Sequence, residues 1–431
     1  MIQKFKAAGP LSGEVRVPGD KSISHRALML SGLAAGVSHI EGLSPGLDVA
    51  STGACMRALG AVIETGKAGA LKVQGAGKQG LAAPESALDA GNSGTTIRLL
   101  SGILAGQRFT STISGDQYLV RRPMKRVIEP LEMMGATVES APGGHPPLTI
   151  HGGDLEGITY YLPVPSAQVK SCVLLAGLFA GGETRVVESV PSRDHTERML
   201  PLFGVKVTVD SLEVCVRGGS SLSACDTVVP GDPSSAAFFA AAAVLVPGSR
   251  VLLPNLTLNP TRAAFYEVLA RMGARIERLN ERSSAGEPVA DLELSFSELK
   301  AATVEGAEVP SLIDEIPILA VVATQAHGIT RIRDAGELRV KETDRIRAIA
   351  DNLRAMGASV EEHAEGLDIE GPTPLAGCAL DSYGDHRIAM AFSVAGLIAS
   401  GETVIQDAGC ADISFPGFYD LLRGLYRETQ A

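Results

Sequence analysis

Six times along the chain a polar turn, in most cases containing glycine, runs straight into a stretch of small apolar residues. The turns are Pro18-Gly19-Asp20-Lys21-Ser22, Ala90-Gly91-Asn92-Ser93-Gly94, Val164-Pro165-Ser166-Ala167-Gln168, Pro230-Gly231-Asp232-Pro233-Ser234, Ile313-Asp314-Glu315-Ile316-Pro317 and Tyr383-Gly384-Asp385-His386-Arg387. Runs such as Ala236-Ala237-Phe238-Phe239-Ala240-Ala241-Ala242-Ala243 and Cys172-Val173-Leu174-Leu175-Ala176-Gly177-Leu178 are apolar nearly all round, which predicts helices buried inside a domain.

A second phrase follows each of these helices: an amphipathic stretch, a glycine, then alternating residues. It is centred on Gly60, Gly135, Gly204, Gly273 and Gly357, with a frayed sixth copy around Leu421 to Arg427. The pattern predicts a helix that stops at a glycine with positive φ and passes into a strand. Stretches rich in β-formers, such as Glu183 to Glu188 and Glu402 to Asp407, fall between the two helices. Each repeat therefore reads helix, strand, helix, strand, with a period of about 70 residues, longer than the common solenoid periods. Six such units predict closed lobes, with the amphipathic helices covering their exposed sides. The likeness of Val17-Pro18-Gly19-Asp20 to Val229-Pro230-Gly231-Asp232 marks two crossings between lobes. Residues 21–230 are expected to form one lobe and 1–20 with 231–431 the other, with a hinge near 19–21 and 229–232.

Composition narrows the function. The 431 residues carry 38 Lys plus Arg against 49 Asp plus Glu, a net charge of −11, so a protein that coats nucleic acid is disfavoured. Absence of tryptophan and an aromatic fraction of 4% also disfavour base-stacking platforms. Six cysteines without a Cys-x-x-Cys pair point to reduced thiols. No signal peptide or long uninterrupted apolar span is legible, so the expectation is a soluble cytoplasmic chain with no membrane partner.

Chemistry gathers at the helix starts. A helix N-terminus offers unpaired N–H groups and partial positive charge to an anion. Lys21, Ser22 and Arg26 stand at the first start; Asn92, Gly94, Thr95 and Arg98 at the second; Ser166, Ala167 and Gln168 at the third. Arg121-Arg122, Arg193, the run Arg339-Val340-Lys341-Glu342-Thr343-Asp344-Arg345, and Arg387 add cations near the same regions. In an acidic chain this collection points to a small polyanionic substrate. Read alone, the Gly91–Gly94 turn is an ordinary helix start and the Lys341 run a solvated helix face. His195 and His386 stand beside Asp194 and Asp385, but no further spaced ligands accompany them, so no metal is expected. Two carboxylates are acid–base candidates: Asp314, for which a helix-capping role is an equal reading, and Glu342 among cations.

Taken as a set, these motifs resemble the enolpyruvyl transferases, and among them the 5-enolpyruvylshikimate-3-phosphate synthase family. The matching segments run nearly end to end: Pro18 to Arg26, Gly91 to Thr96, Arg122-Pro123, Ser166-Ala167-Gln168, Arg339 to Arg345 and Tyr383 to Arg387. The resemblance implies an α/β (α+β) fold of two lobes, each of three β-α-β-α-β-β units around buried helices, an inside-out α/β barrel that closes on substrate. It implies transfer of the enolpyruvyl group of phosphoenolpyruvate to shikimate 3-phosphate in aromatic amino acid biosynthesis, by a monomer without metal or organic cofactor. Shikimate 3-phosphate would be held by Lys21, Ser22, Arg26, Ser166, Ala167, Gln168, Arg193, Asp314 and Lys341. Phosphoenolpyruvate would be held by Lys21, Gly94, Arg122, Gln168, Lys341, Arg345 and Arg387. Asp314, Glu342 and Lys21 would be catalytic.

Two departures accompany the resemblance. Asp412-Ile413-Ser414-Phe415-Pro416 lacks a lysine that many members carry, and Arg98 is followed by Leu99 where many have proline. Gly94 leaves room for glyphosate, the family's phosphoenolpyruvate-competitive inhibitor. One rival reading is the sister enzyme acting on UDP-N-acetylglucosamine, but its loop cysteine has no counterpart in Gly115 to Pro123. Another is a non-catalytic repeat scaffold.

Overall fold

The computed structural model describes residues 1–66 and 69–426, so Arg427 of the sixth repeat phrase lies outside the described residues. The chain divides into two compact units. Unit I contains Met1–Pro18, Gly231–Arg282 and the chain from Pro288 onward; unit II contains Gly19–Pro230 together with Ser283–Glu287. The small segment 283–287 is the tip of a hairpin whose strands, Arg275–Ser284 and Glu287–Ser295, belong to a unit I sheet.

The repeat is seen most simply in Leu88–Asp89, helix Gly94–Ala105, strand Thr110–Ser114, helix Lys125–Met133 and the hairpin Thr137–Ala141/His145–His151. A helical crossover makes the first two strands parallel, and short turns make the remaining pairs antiparallel. The same parallel-then-antiparallel order recurs from Thr159–Tyr161 and from Thr303–Val304. In unit II the set is completed by Thr227–Val228, which pairs in parallel with Ala35–Glu41 some 190 residues earlier in the chain. In unit I, Ser12–Glu14 pairs in parallel with Arg250–Thr257, and Gln3–Lys6 runs antiparallel to Glu402–Gln406. Five of the repeats are thus β-α-β-α-β-β, in some with an edge strand supplied from a distant segment, whereas the sixth has a three-stranded sheet among the described residues, made by Ala379–Asp381, Glu402–Gln406 and Gln3–Lys6. The sheets are open, and no closed barrel is formed among the described residues.

Each unit has its own apolar core built on the first helix of its repeats. Helix Pro233–Leu245 is buried at every position. Helices Gly94–Ala105 and Ala167–Gly177 approach so closely that a Cβ on Gly102 would collide with the Cys172 carbonyl. Strands such as Glu183–Val187 alternate between buried and half-buried or exposed positions, so the sheets share the outer surface with the amphipathic helices. All five glycines of the intact repeat phrases have positive φ, from 82° at Gly204 to 103° at Gly60, where a side chain would strain the helix exit.

Five of the six expected helix starts are capped as their sequence implies. Asp20, Ser93, Ser166, Asp232 and Asp385 each accept a backbone N–H of the first turn. The start near Asp314 is built differently: a short helix Val309–Leu312 and a 3-10 turn Ile313–Glu315 precede helix Ile316–Ala323.

Candidate active site

In unit II, Lys21 opens helix Lys21–Leu33, whose cap Asp20 accepts from the Ile23 N–H at 2.9 Å. The Lys21 ammonium forms an ion pair with Asp48, in the first turn of helix Leu47–Ala58. Arg26, one turn further, is buried; it donates through Nη1 to the Ser22 carbonyl at 2.8 Å, through Nε to Thr196 Oγ1 at 2.7 Å and through Nη2 to Ser171 Oγ at 2.6 Å. Burial pulls its guanidinium down to about 10, so it remains charged at neutral pH. Arg193 lies near enough to Arg26 to act on it electrostatically.

The second helix start joins several predicted ligands. Asn92 donates to Asp116 Oδ2 at 2.9 Å and accepts from Arg122 Nη2 at 2.8 Å. Arg98 Nη1 donates to Gln168 Oε1 at 2.6 Å, and Gln168 Nε2 donates to Thr95 Oγ1 at 3.0 Å. A Cβ on Gly94 would lie 2.8 Å from Arg98 Nη1 and 3.4 Å from Arg122 Nη1. Two guanidiniums therefore flank a helix start without a side chain of its own, an arrangement suited to an anionic ligand. Ser166 caps the neighbouring helix through the Val169 N–H at 3.4 Å, with Ala167 its first residue.

A buried hydroxyl chain links the first two starts: His25 Nδ1 lies 2.7 Å from Thr52 Oγ1, which lies 2.6 Å from Thr96 Oγ1, and Thr96 bonds Ser93 Oγ at 2.7 Å. Burial first, then the positive charge of Lys21, pushes His25 down to about 3, so its ring is neutral at ordinary pH.

In unit I, Asp314 lies among three cations: Arg345 Nη1 at 3.5 Å, Lys341 Nζ at 3.8 Å and Arg387 Nη2 at 3.9 Å. Arg387 Nη1 also donates to the Asp314 carbonyl at 3.0 Å. Glu342 Oε2 accepts from Arg345 Nη2 at 2.7 Å and is the more exposed of the two carboxylates, 34% against 16% for the side chains. Arg345 is buried and fixed by Asp385, Nε to Oδ2 at 2.7 Å; its guanidinium is held well above its ordinary range because three carboxylates outweigh the desolvation. Asp314 does not stand at the cap position of the following helix: Glu315 occupies it, and the Glu315 side chain makes no capping bond. Lys341 and Glu342 sit in the turn before helix Arg345–Ala355, so they are not a helix face; Asp344 caps that helix through the Arg347 N–H at 3.1 Å.

Unit I thus brings together Asp314, Glu342, Lys341, Arg345 and Arg387. Unit II brings Gly94, Arg122 and Gln168 together around Arg98 and joins Ser22 to Arg26, while Lys21 is held by Asp48. Sequence reasoning passed over three supports. Asp48 carries no motif. Arg98 is legible at its helix start, but its partner is not. Lys170 is a lone cation in an apolar helix, a signal that was available. It is buried between Glu188 Oε2 at 2.6 Å and Glu197 Oε1 at 2.7 Å.

Comparison with known proteins identifies the family. The family model for EPSP synthase (3-phosphoshikimate 1-carboxyvinyltransferase) matches residues 5–422. A 3-phosphoshikimate 1-carboxyvinyltransferase of Citrifermentans bemidjiense is 51% identical over 424 residues, covering 98% of this chain and 99% of that protein. The enzyme of the same name from Brevibacillus brevis is 52% identical over 420 residues, covering 97% and 98%. The solved structure of EPSP synthase from Acinetobacter baumannii superposes with a TM-score of 0.92 at 43% identity, covering 100% of this chain and 99% of that one. An enolpyruvyl transferase of Streptomyces tendae, 19% identical with a TM-score of 0.80 and covering 100% and 99%, shares the fold. With cations grouped around two carboxylates and a family match over nearly its whole length, the chain belongs to the EPSP synthase family.

Proposed function

We propose that the chain transfers the enolpyruvyl group of phosphoenolpyruvate to the 5-hydroxyl of shikimate 3-phosphate and releases phosphate, a step of aromatic amino acid biosynthesis. Relatives about half identical over nearly the full length bear the name of this transferase, which disfavours the sister enzyme and the scaffold. The observation that carries the mechanism is Asp314, held by Lys341, Arg345 and Arg387 one residue before the cap position of its helix.

A hydroxyl is a weak nucleophile, and the C2 atom of phosphoenolpyruvate becomes electrophilic only as its methylene carbon gains a proton. Asp314 accepts the hydroxyl proton, and Glu342 passes a proton to the methylene carbon. The new C–O bond gives a tetrahedral ketal phosphate. Its C–O bond to phosphate then breaks, the departing phosphate takes the proton held on Asp314, a methyl proton returns to Glu342, and the enol ether forms. Positioned proton transfer contributes roughly 10²–10⁴-fold. Lys21 and the neighbouring cations stabilise the charge that develops.

In this reading Lys21, Ser22, Arg26, Ser166, Ala167, Gln168, Arg193, Asp314 and Lys341 hold shikimate 3-phosphate. Lys21, Gly94, Arg122, Gln168, Lys341, Arg345 and Arg387 hold phosphoenolpyruvate, with Arg345 contributing charge from a buried position. The enzyme acts as a cytoplasmic monomer without metal or organic cofactor; among the described residues no helix is long and apolar enough to cross a membrane. Phosphate release from both substrates together tests the proposal. Release that requires both supports it; no release, or release from phosphoenolpyruvate alone, overturns it.

A further inference from the structure

Lys170 lies in helix Ala167–Gly177, one turn after Ser166, and is 1% exposed. Its ammonium meets two buried carboxylates, Glu188 and Glu197, and also donates to the Ser192 carbonyl at 3.2 Å. Glu188 in turn accepts a hydrogen bond from the Ser192 hydroxyl. The segment immediately before Arg193 is therefore fastened at both its carbonyl and its side chain. From the same helix, Ser171 Oγ lies 2.7 Å from Thr196 Oγ1, and Arg26 donates to both hydroxyls. The carbonyl and hydroxyl bonds at Ser192, the Glu197 ion pair and the hydroxyl contacts join the Ser166–Gln168 helix start to the Ser192–Glu197 segment. Burying three charges for stability alone is a poor device, because apolar replacements of similar volume commonly stabilise as well or better. A positioning task accounts for them.

We propose that Lys170 is a positioning residue for shikimate 3-phosphate: through Glu188, Glu197 and the Ser192 carbonyl it fixes Arg193 relative to Ser166–Gln168, so that both act on the same phosphorylated hydroxy acid. The inference rests on the substrate reading given above. Misplacing a binding group by about 1 Å can cost as much as 10²-fold in rate, and here the loss falls on recognition of one substrate. Of these groups phosphoenolpyruvate shares Gln168; its other assigned contacts, chiefly Gly94, Arg122 and the unit I cations, lie outside the Lys170 cluster.

The test is steady-state kinetics with each substrate varied at saturating levels of the other. Lys170→Met alone leaves two buried carboxylates without a counter-charge and can unfold the chain. The triple variant Lys170→Met/Glu188→Leu/Glu197→Leu removes the whole charged group and keeps an apolar interior. In the folded triple variant KM for shikimate 3-phosphate should rise about tenfold or more, with KM for phosphoenolpyruvate within about threefold of wild type. Lys170→Arg, which keeps the charge, should recover part of the loss. An unchanged KM for shikimate 3-phosphate, or equal rises for both substrates, would overturn the inference while the wild-type activity stands. A wild-type chain with no turnover on this pair would overturn the substrate reading and this inference together.

Discussion

Arg345 and Asp385 form a buried pair in unit I, with Nε 2.7 Å from Oδ2 and side chains 1% and 0% exposed. The same aspartate caps helix His386–Gly396 by accepting from the Arg387 and Ile388 N–H groups. Asp385 thereby fixes both the helix start that carries Arg387 and the guanidinium that holds Glu342. Asp385→Ala leaves a buried cation short of its counter-charge, which typically costs about 3–5 kcal/mol, and removes a cap worth about 1 kcal/mol. Urea unfolding should show a loss of this order; a loss below about 1 kcal/mol would contradict the role.

The two carboxylates held through Arg345 should act on turnover more than on binding, which Asp314 shares with eight other residues. Asp314→Ala and Glu342→Ala are each expected to lower kcat by at least about 10²-fold while shikimate 3-phosphate still binds, as read by calorimetry. Near-normal kcat in either variant would remove that residue from the mechanism.

Gly94 has no side chain where two guanidiniums converge. A Cβ there meets the end of flexible Arg98 at 2.8 Å, so stability should change by less than about 1 kcal/mol. Gly94→Ala should displace Arg98 from Gln168, raise KM for phosphoenolpyruvate and weaken competition by glyphosate. Unchanged competition in a folded variant would show that Gly94 does not face the phosphoenolpyruvate site.

Acid should weaken the fold through His25. Its folded value of about 3 lies below the ordinary 6.5 because of burial, so the unfolded chain binds the extra proton. Stability therefore falls as pH drops from about 6.5 toward 3 and is insensitive to this group above 6.5. His386, pushed down to about 4 by burial, adds in the same direction. Denaturant midpoints at pH 7.5 and 5.5 should differ less in His25→Asn than in wild type. Equal slopes would show that His25 does not carry the effect.

Much of the architecture was legible because its signals are local. Asp20, Ser93, Ser166, Asp232 and Asp385 are capping residues directly before apolar runs, and Gly60 to Gly357 mark helix exits within a few residues of the strands they start. The turn at Asp314 was not legible, since Pro310 and Pro317 each open a separate helix and a 3-10 turn fills the space between them. Pairings across long separations were also hidden. Arg98 meets Gln168 70 residues away, and Lys170 meets Glu188 and Glu197 on later elements. No periodicity encodes such side-chain partners; helix packing brings them together. The role of Asp314 was open from sequence because a carboxylate beside a helix start suits both capping and proton transfer.

The most direct measurement is mass spectrometry of the product formed from shikimate 3-phosphate and phosphoenolpyruvate in deuterated water. Addition followed by elimination passes through a methyl group that has gained one solvent hydrogen and then loses any one of its three. The account predicts an enolpyruvyl ether of shikimate 3-phosphate carrying deuterium on its methylene carbon, formed together with phosphate. No such ether, or an ether whose methylene stays unlabelled, would contradict it.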